Sequence, residues 1–197
     1  MTNGTISPSD ENSPLKLPAW GHHCGMISLG EAIVPVDARA VADRSLFSER
    51  IVRYCWAYDE RQLDLLADCF TEDGVWEGNV LGEIPIGPFT GRGAIRKWLS
   101  EFWPHQRDQR RHMILNTIVE AQTGHTASTL SYLLLMSSDG ERPKLETTGF
   151  YRVDYKREDA AWRISHLTAG FDAPFWPGNI KTMSERGRAR HGVSADA

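Results

Sequence analysis

Two side chains of this chain could together carry out acid–base chemistry, Asp59 and His112. Asp59 closes the apolar, helix-like run Arg53-Tyr54-Cys55-Trp56-Ala57-Tyr58-Asp59, and His112 opens the alternating run Arg111-His112-Met113-Ile114-Leu115-Asn116. A carboxylate beside an imidazole forms a general base with its orienting partner. If the two side chains meet, the pair could remove a proton from a small, largely apolar molecule.

Each of these residues also has an ordinary structural explanation. An Asp at the C-terminal end of a helix is usually solvated, although the helix dipole disfavours a negative charge there. A lone His on a strand is more often a satisfied core residue than a base. The misplaced charge of Asp59 favours a functional role.

Aromatic and polar residues supply further candidates for small-molecule binding. Four aromatic residues cluster in a predicted strand and a predicted helix: Trp76, Trp98, Phe102 and Trp103. Packing explains most of them, and one or two could line a cavity. Strict alternation puts Asn116 on the same strand face as His112, where its amide would hold a substrate oxygen or a buried backbone group. Tyr132 and His166 are the remaining candidates, and His166 is equally well explained as a surface residue at a strand end.

The hydrophobic periodicity predicts the elements that must position these residues. Three- and four-residue spacing predicts a helix over 38–59, capped by Asp43 or Asp37, and a short helix over 62–69. Residues 71–74 read as a turn, 75–80 as a strand, and the glycine- and proline-rich segment 82–93 as a loop. A third helix over 92–103 then precedes four strand-like runs, at 111–122, 126–137, 144–156 and 162–171. This order is typical of an α+β fold.

Length and composition limit the class of protein. A chain of 197 residues that is 41% hydrophobic can bury one full core. A formal net charge of −4 gives no electrostatic case for nucleic acid or an anionic membrane. The chain shows no signal-peptide pattern and no apolar run of the roughly 18 residues that a bilayer span needs. Three cysteines without metal-type spacing, Cys24, Cys55 and Cys69, favour a reducing cytoplasm, and no nucleotide, metal or other cofactor motif is recognised.

The domain boundaries follow the composition. We expect an N-terminal extension over 1–37, partly disordered, a domain over 38–178, and a polar tail over 179–197. The aromatic, proline-containing segment 170–178 would close the cavity or pack on a neighbouring subunit. The run His22-His23-Cys24 lacks a second group at metal-ligand spacing and is discounted as a metal site.

Several runs together resemble a known family. They are Asp64 to Trp76, Gly91-Arg92-Gly93-Ala94-Ile95, Arg111 to Asn116, Gly149 to Tyr155 and Ala161-Trp162-Arg163-Ile164. In this order they resemble the NTF2-like superfamily, and within it the SnoaL-like branch that includes scytalone dehydratase and hexachlorocyclohexane dehydrochlorinase. The resemblance covers roughly residues 40–172.

The resemblance implies a cone-shaped α+β barrel, a curved mixed or antiparallel sheet with three packing helices around a central cavity. It implies that Asp59 and His112 form the catalytic pair, that Tyr58 matches the tyrosine preceding the catalytic Asp, and that His112 faces inward. It also places His166 near a basic active-site position, and it implies a homo-oligomer, dimer or trimer.

These inferences together predict a cofactor-free lyase acting on a bulky aromatic or polycyclic molecule. Elimination would break a C–O or C–halogen bond, and a proton taken from a hydroxyl would instead break a C–C bond and release a small aldehyde. Tyr58, Tyr132 or Asn116 would stabilise the developing charge. One alternative is an isomerase or polyketide-cyclase-like enzyme with Asp59 as the base. The other is a non-catalytic binding module or dioxygenase small subunit.

Overall fold

The computed structural model of the protein describes residues 31–82 and 84–174. The helices are α1 (Ala38–Asp59), α2 (Leu63–Asp68) and α3 (Arg92–Phe102), the last continued by a single 3₁₀ turn at Trp103–His105. The strands are β1 (Phe70–Val80), β2 (Ile84–Thr90), β3 (Gln109–Gln122), β4 (Thr126–Ser138), β5 (Pro143–Glu158) and β6 (Ala161–Phe171). Three helices and one mixed sheet confirm the predicted α+β class.

The six strands form one open sheet in the order β2-β1-β6-β5-β4-β3. Strands β3 to β6 form an antiparallel meander, and β1 joins β6 in parallel before β2 adds to it as an antiparallel edge. The sheet curves around the helices, and its concave face encloses the core.

Helix α1 fills the concave face with one apolar stripe. Phe47, Ile51 and Tyr54 follow helical spacing and are each 1% exposed. The Phe47 ring stacks on Tyr155 of β5 at 5.3 Å between centroids and meets Trp162 of β6 edge-on at 4.8 Å. Such burial is worth about 1.5–3 kcal/mol for each large apolar side chain, so this stripe fixes the helix against the sheet.

The N-terminus of α1 is capped by Asp37, one of the two predicted caps. The Asp37 carboxylate accepts a hydrogen bond of 2.7 Å from the backbone N–H of Ala40. Asp43 instead lies inside the protein, where Trp162 Nε1 donates to it over 3.0 Å and Arg157 forms an ion pair with it. Asp43 therefore ties the start of α1 to the end of β5 and the start of β6.

Two predictions about the first half of the chain are wrong. Residues 71–74 lie inside β1, where the pairing with β6 shifts register between Phe70 and Val75. Residues 84–90, predicted as part of a loop, form the edge strand β2. Proline is tolerated there because an edge strand leaves half of its N–H groups unpaired, and Gly87, at φ +87°, has no space for a Cβ beside the Trp76 carbonyl.

The predicted boundaries of the extension and tail stay predictions. Residues 1–30, with His22-His23-Cys24, and residues 175–197, with the end of the aromatic segment, lie outside the described residues. Within the part of the chain that the structure describes, no helix is long and apolar enough to span a membrane.

Candidate active site

Asp59 and His112 are in direct contact. His112 Nδ1 lies 2.6 Å from Asp59 Oδ1, and the backbone N–H of His112 donates to Asp59 Oδ2 over 2.9 Å. Both side chains are 6% exposed. Because a carboxylate is an acceptor only, Nδ1 carries the ring proton, and Nε2 on the opposite side of the ring is left with its lone pair.

The dyad is built where the C-terminus of α1 meets the start of β3. The Gln109 side chain donates to the backbone carbonyl of Asp59 over 2.9 Å and so joins the helix end to the strand. Tyr58 presents its ring edge-on to His112, with 4.8 Å between the ring centroids. The two N–H groups of His112 compensate the negative charge that the helix dipole disfavours at Asp59.

A cavity opens on the inner side of His112. The enclosed volume that a water-sized sphere can reach is about 20 Å³, and the space between the lining side chains, with the part that is open to solvent, is about 390 Å³. An aryl ligand can therefore enter only if the lining side chains move. The polar or partly polar lining residues are Tyr54, Tyr58, Trp76, Arg110, His112 and Tyr151, and the apolar ones are Trp98, Phe102, Leu135 and Phe171. An apolar space with a few placed polar groups is typical of small-molecule sites.

One wall of the cavity is a stack of aromatic rings. Trp98 lies at its centre, 4.3 Å from Trp76 and 4.4 Å from Phe89 between ring centroids, with Phe102 at 6.2 Å. The sequence predicts three of these residues, whereas Phe89 lies in the segment that was predicted to be a loop. The wall offers flat apolar surface to a ligand.

Tyr58 lines the cavity, but its hydroxyl proton is already used. The hydroxyl donates to Gln106 Oε1 over 3.0 Å, and Gln106 is 7% exposed. Burial raises the pKa of Tyr58 well above its ordinary value. Trp103, a predicted binding residue, is outside the cavity lining and packs edge-on against the Tyr58 ring at 5.6 Å.

The structure does not bring Asn116 to the cavity. Asn116 and Thr117 together oppose Ser131 of β4, which makes a bulge, and Asn116 adopts a φ of +51°. The side chain of Asn116 is exposed, while Thr117 Oγ1 meets Ser131 Oγ at 2.9 Å. Strict alternation from His112 fails because the extra residue of the bulge changes the face.

Tyr132 and His166 lie on the outer face of the sheet. Tyr132 is 56% exposed. His166 Nε2 lies 2.9 Å from Glu77 Oε1, and both side chains are 38% exposed. Neither residue lines the cavity that His112 faces, because each belongs to the strand positions that alternate away from the core.

Three polar residues of the cavity escaped the sequence reasoning. Tyr54 precedes Tyr58 by one helical turn, Arg110 precedes His112 by two strand positions, and Tyr151 alternates with Val153 on the inner face of β5. These spacings place them beside recognised site residues. Their apolar bodies follow the same pattern as ordinary core residues, so the sequence carried no separate signal for them.

No metal-binding cluster accompanies the site. Within residues 31–82 and 84–174, no group of three or more His, Cys, Asp or Glu side chains could hold a metal ion. The cysteines of this region, Cys55 and Cys69, are buried free thiols. Burial raises the pKa of both thiols, and this keeps them in the neutral form.

Comparison with models of protein families identifies the family of this domain. Residues 39–168 match the family model of the SnoaL-like domain, about two thirds of the chain and the whole of the dyad. The chain belongs to the SnoaL-like domain family. Proteins of this NTF2-like fold include enzymes and ligand-binding proteins. Comparison with curated protein sequences finds no relative of this SnoaL-like chain.

Solved structures agree with the family. A protein from Novosphingobium aromaticivorans, described as a candidate aromatic ring hydroxylase, is 25% identical at a TM-score of 0.56 and covers 68% of this chain and 92% of its own. An NTF2-like protein with a cystatin-like fold from the same species is 20% identical at a TM-score of 0.58, covering 74% and 90%. ActVI-ORFA from Streptomyces coelicolor is 19% identical at a TM-score of 0.57, covering 66% and 97%. The last two likenesses show the fold alone.

Proposed function

We propose that this SnoaL-like protein is a cofactor-free lyase. His112 Nε2, oriented through Nδ1 by Asp59, removes a proton from a small aromatic or polycyclic molecule, and a C–O, C–halogen or C–C bond then breaks. The observation that carries the proposal is the 2.6 Å contact between His112 Nδ1 and Asp59 Oδ1 beside an aromatic cavity. A buried imidazole with an oriented lone pair is the arrangement of a general base.

The arrangement disfavours Asp59 as the base that touches the substrate. Both of its carboxylate oxygens accept hydrogen bonds from His112, one from the ring and one from the backbone. Asp59 is absent from the residues that line the cavity, whereas His112 is among them. An isomerase or cyclase on this chain would therefore also act through His112.

The cavity favours an aromatic substrate. Trp98 and its neighbours present stacked rings, and aromatic pairs contribute about 0.5–1.5 kcal/mol beyond the burial of their area. An aryl ring that packs against this wall displaces water, and this strengthens the interactions of His112 with the reacting atoms. Bulky aryl compounds are thus the first compounds to test.

The experiment is a turnover screen on hydroxylated and halogenated aromatic compounds. Wild type is compared with His112→Gln, and His166→Gln is the matched control because it breaks a His–carboxylate pair on the outer face. We expect product from wild type and His166→Gln, and a loss of about 10²–10⁴-fold in His112→Gln. Equal turnover by folded His112→Gln would contradict the proposal.

A second candidate function is a non-catalytic subunit. The beta subunit of a candidate aromatic-ring-hydroxylating dioxygenase from Novosphingobium aromaticivorans shares the fold, with 13% identity and a TM-score of 0.61. A structural subunit would need neither Asp59 nor His112, so replacing both would leave its assembly intact. The dyad favours the enzyme, because burying a carboxylate is costly and its partner, His112, lines a cavity.

We further propose that the protein forms a homo-oligomer through the outer face of β3 and β4. Met113, Leu115, Ile118 and Tyr132 are 39%, 46%, 39% and 56% exposed, and strand pairing sets Leu115 directly beside Tyr132. Monomers seldom expose a contiguous apolar patch of this kind. Sedimentation analysis should give a dimer or trimer for wild type and a smaller species for Tyr132→Lys. A monomeric wild type would reject the interface.

A further inference from the structure

Proton removal by His112 leaves an electron pair that needs stabilisation. The expected donors do not supply it, because Asn116 and Tyr132 lie outside the cavity and the Tyr58 proton is bound to Gln106. Hydrogen-bond donors aimed at developing negative charge supply much of the rate in many enzymes. The cavity must therefore be searched for another donor.

Tyr54 and Tyr151 line the same cavity as His112. Tyr54 reaches it from α1, one turn before Tyr58, and Tyr151 reaches it from the inner face of β5. Their rings meet edge-on, with 6.2 Å between centroids, and each residue is 1% exposed. Trp76 Nε1 donates to the Tyr54 hydroxyl over 2.8 Å.

A count of N–H and O–H protons shows which donors remain for a ligand in the cluster of Trp76, Tyr54 and Tyr151. Trp76, Tyr54 and Tyr151 carry three N–H or O–H protons, and one of them, the indole proton, is bound to the Tyr54 oxygen. The Tyr54 and Tyr151 rings meet edge-on, and even a hydrogen bond between the two hydroxyls would use only one of their two protons. At least one of the two O–H protons therefore remains for a ligand.

Burial keeps the Tyr54 and Tyr151 hydroxyls protonated. Desolvation raises the pKa of both Tyr54 and Tyr151 well above the ordinary tyrosine value. The hydroxyls stay neutral at physiological pH and act as donors rather than as bases. The indole N–H strengthens the Tyr54 hydroxyl as a donor, because hydrogen bonds in series polarise one another.

We propose that Tyr54 and Tyr151, supported by Trp76, form an oxyanion site, and that the substrate carries a carbonyl-type oxygen conjugated to the C–H bond that His112 cleaves. The inference rests on the proposed function for the role of His112. It narrows the substrate class to ketones, enones and related oxygenated aromatics, and it disfavours purely halogenated hydrocarbons, which have no oxygen for this site to bind.

The electrons and protons of the step balance without a cofactor. His112 Nε2 takes the proton as the C–H bond breaks, and the electron pair moves onto the substrate oxygen as an enolate. The Tyr hydroxyl donates a hydrogen bond to that oxygen. When the C=O bond re-forms, a C=C bond forms and the leaving group departs with its electron pair, taking up the proton where it is hydroxide.

The test uses two probes of similar shape, acetophenone and ethylbenzene, which differ by the carbonyl oxygen. We expect wild type to bind acetophenone about five- to tenfold more tightly than ethylbenzene, the effect of one hydrogen bond. The carbonyl stretching frequency of bound acetophenone should fall relative to its value in hexane. Tyr54→Phe and Tyr151→Phe should each weaken both effects, and the double variant should abolish them.

Tyr155→Phe is the matched control. Tyr155 is also buried, but its hydroxyl donates to the backbone carbonyl of Phe47 and accepts from Thr129. This variant should keep both effects and report any loss that is only structural. Equal binding of the two probes by wild type, or an unchanged carbonyl frequency in the folded double variant, would overturn the oxyanion site.

His112→Gln separates the two proposals. This variant should bind acetophenone with the wild-type frequency while losing turnover. Turnover retained by His112→Gln refutes the proposed base alone, and a frequency shift independent of both tyrosines refutes the oxyanion site alone.

Discussion

Replacement of Asp59 by Asn tests whether Asp59 determines which ring nitrogen of His112 carries the proton. Asp59 accepts two hydrogen bonds from His112, one from the ring and one from the backbone N–H. An amide of the same shape can accept only one of them. The backbone N–H can only donate, so the Asn carbonyl oxygen is expected to face it, and the amide NH₂ then faces His112 Nδ1.

This orientation of the amide reverses the tautomer of the His112 imidazole. Nδ1 must become the acceptor, and the ring proton moves to Nε2, where the base is needed. The opposite orientation leaves N–H groups facing each other, at a cost of about 1–3 kcal/mol. The loss of a charge-assisted hydrogen bond to the imidazolium in the transition state adds about 1.5–3 kcal/mol.

The two effects together raise the activation free energy by about 4 kcal/mol. This corresponds to a decrease of about 10³-fold in kcat/KM at 25 °C. The assay is turnover of the best compound from the aromatic screen, with ¹⁵N NMR of labelled histidine to identify the protonated ring nitrogen. Wild type should show Nδ1–H and Asp59→Asn should show Nε2–H.

The matched control is Asp154→Asn. Asp154 accepts a 2.6 Å hydrogen bond from Ser128 Oγ and does not line the cavity, so its replacement should leave turnover within a few-fold of wild type. Circular dichroism confirms that each variant folds. If folded Asp59→Asn kept turnover within tenfold of wild type, or kept Nδ1–H, the reasoning would be refuted.

Three further measurements test other parts of the structure. Burial raises the pKa of the Asp43 carboxyl, but hydrogen bonds from Trp162 and Arg157 outweigh burial and lower this pKa below 3.8. The free energy of unfolding should therefore fall as the pH drops below about 3.8 and Asp43 takes up a proton. Asp43→Asn should cost about 3 kcal/mol at pH 7 in urea titrations and flatten this acid dependence; an unchanged slope would contradict the assignment. The buried thiol of Cys55, whose pKa is raised by burial, should react with iodoacetamide at least about 100-fold more slowly in folded than in unfolded protein, and rapid labelling of the folded state would disprove its burial. Trp98→Ala should lower stability by about 3 kcal/mol and weaken aromatic ligands, measured by thermal unfolding and fluorescence titration, whereas unchanged affinity would exclude the aromatic wall from binding.

The sequence predicts the regular elements well where one period dominates. Helix α1 has the predicted bounds, and strands β3 to β6 start and end within two residues of their predicted positions. Helix α1 and strands β4 to β6 each bury one face, so their hydrophobic period is strong. The segment 82–93 carries no such period, and its strand β2 exists because β1 offers an edge for pairing.

The sequence also identifies the two residues that the structure joins as a dyad. The family resemblance pairs Asp59 with His112, which are 53 positions apart, and the structure places them in contact. The resemblance carries that information, because residue type and spacing alone leave an ordinary structural explanation open for each of the two residues.

Tertiary structure alone decided what surrounds the dyad. Alternation assigns residues to the two faces of a strand, but it does not show where a bulge interrupts the pattern. Asn116 lies outside the cavity because a bulge forms there in the pairing of β3 with β4. Tyr54 and Tyr151 follow the apolar core pattern, and they line one cavity only because α1 packs against β5. Period and residue type are local properties of the chain, whereas the enclosure of a cavity depends on strand register and helix packing between distant segments.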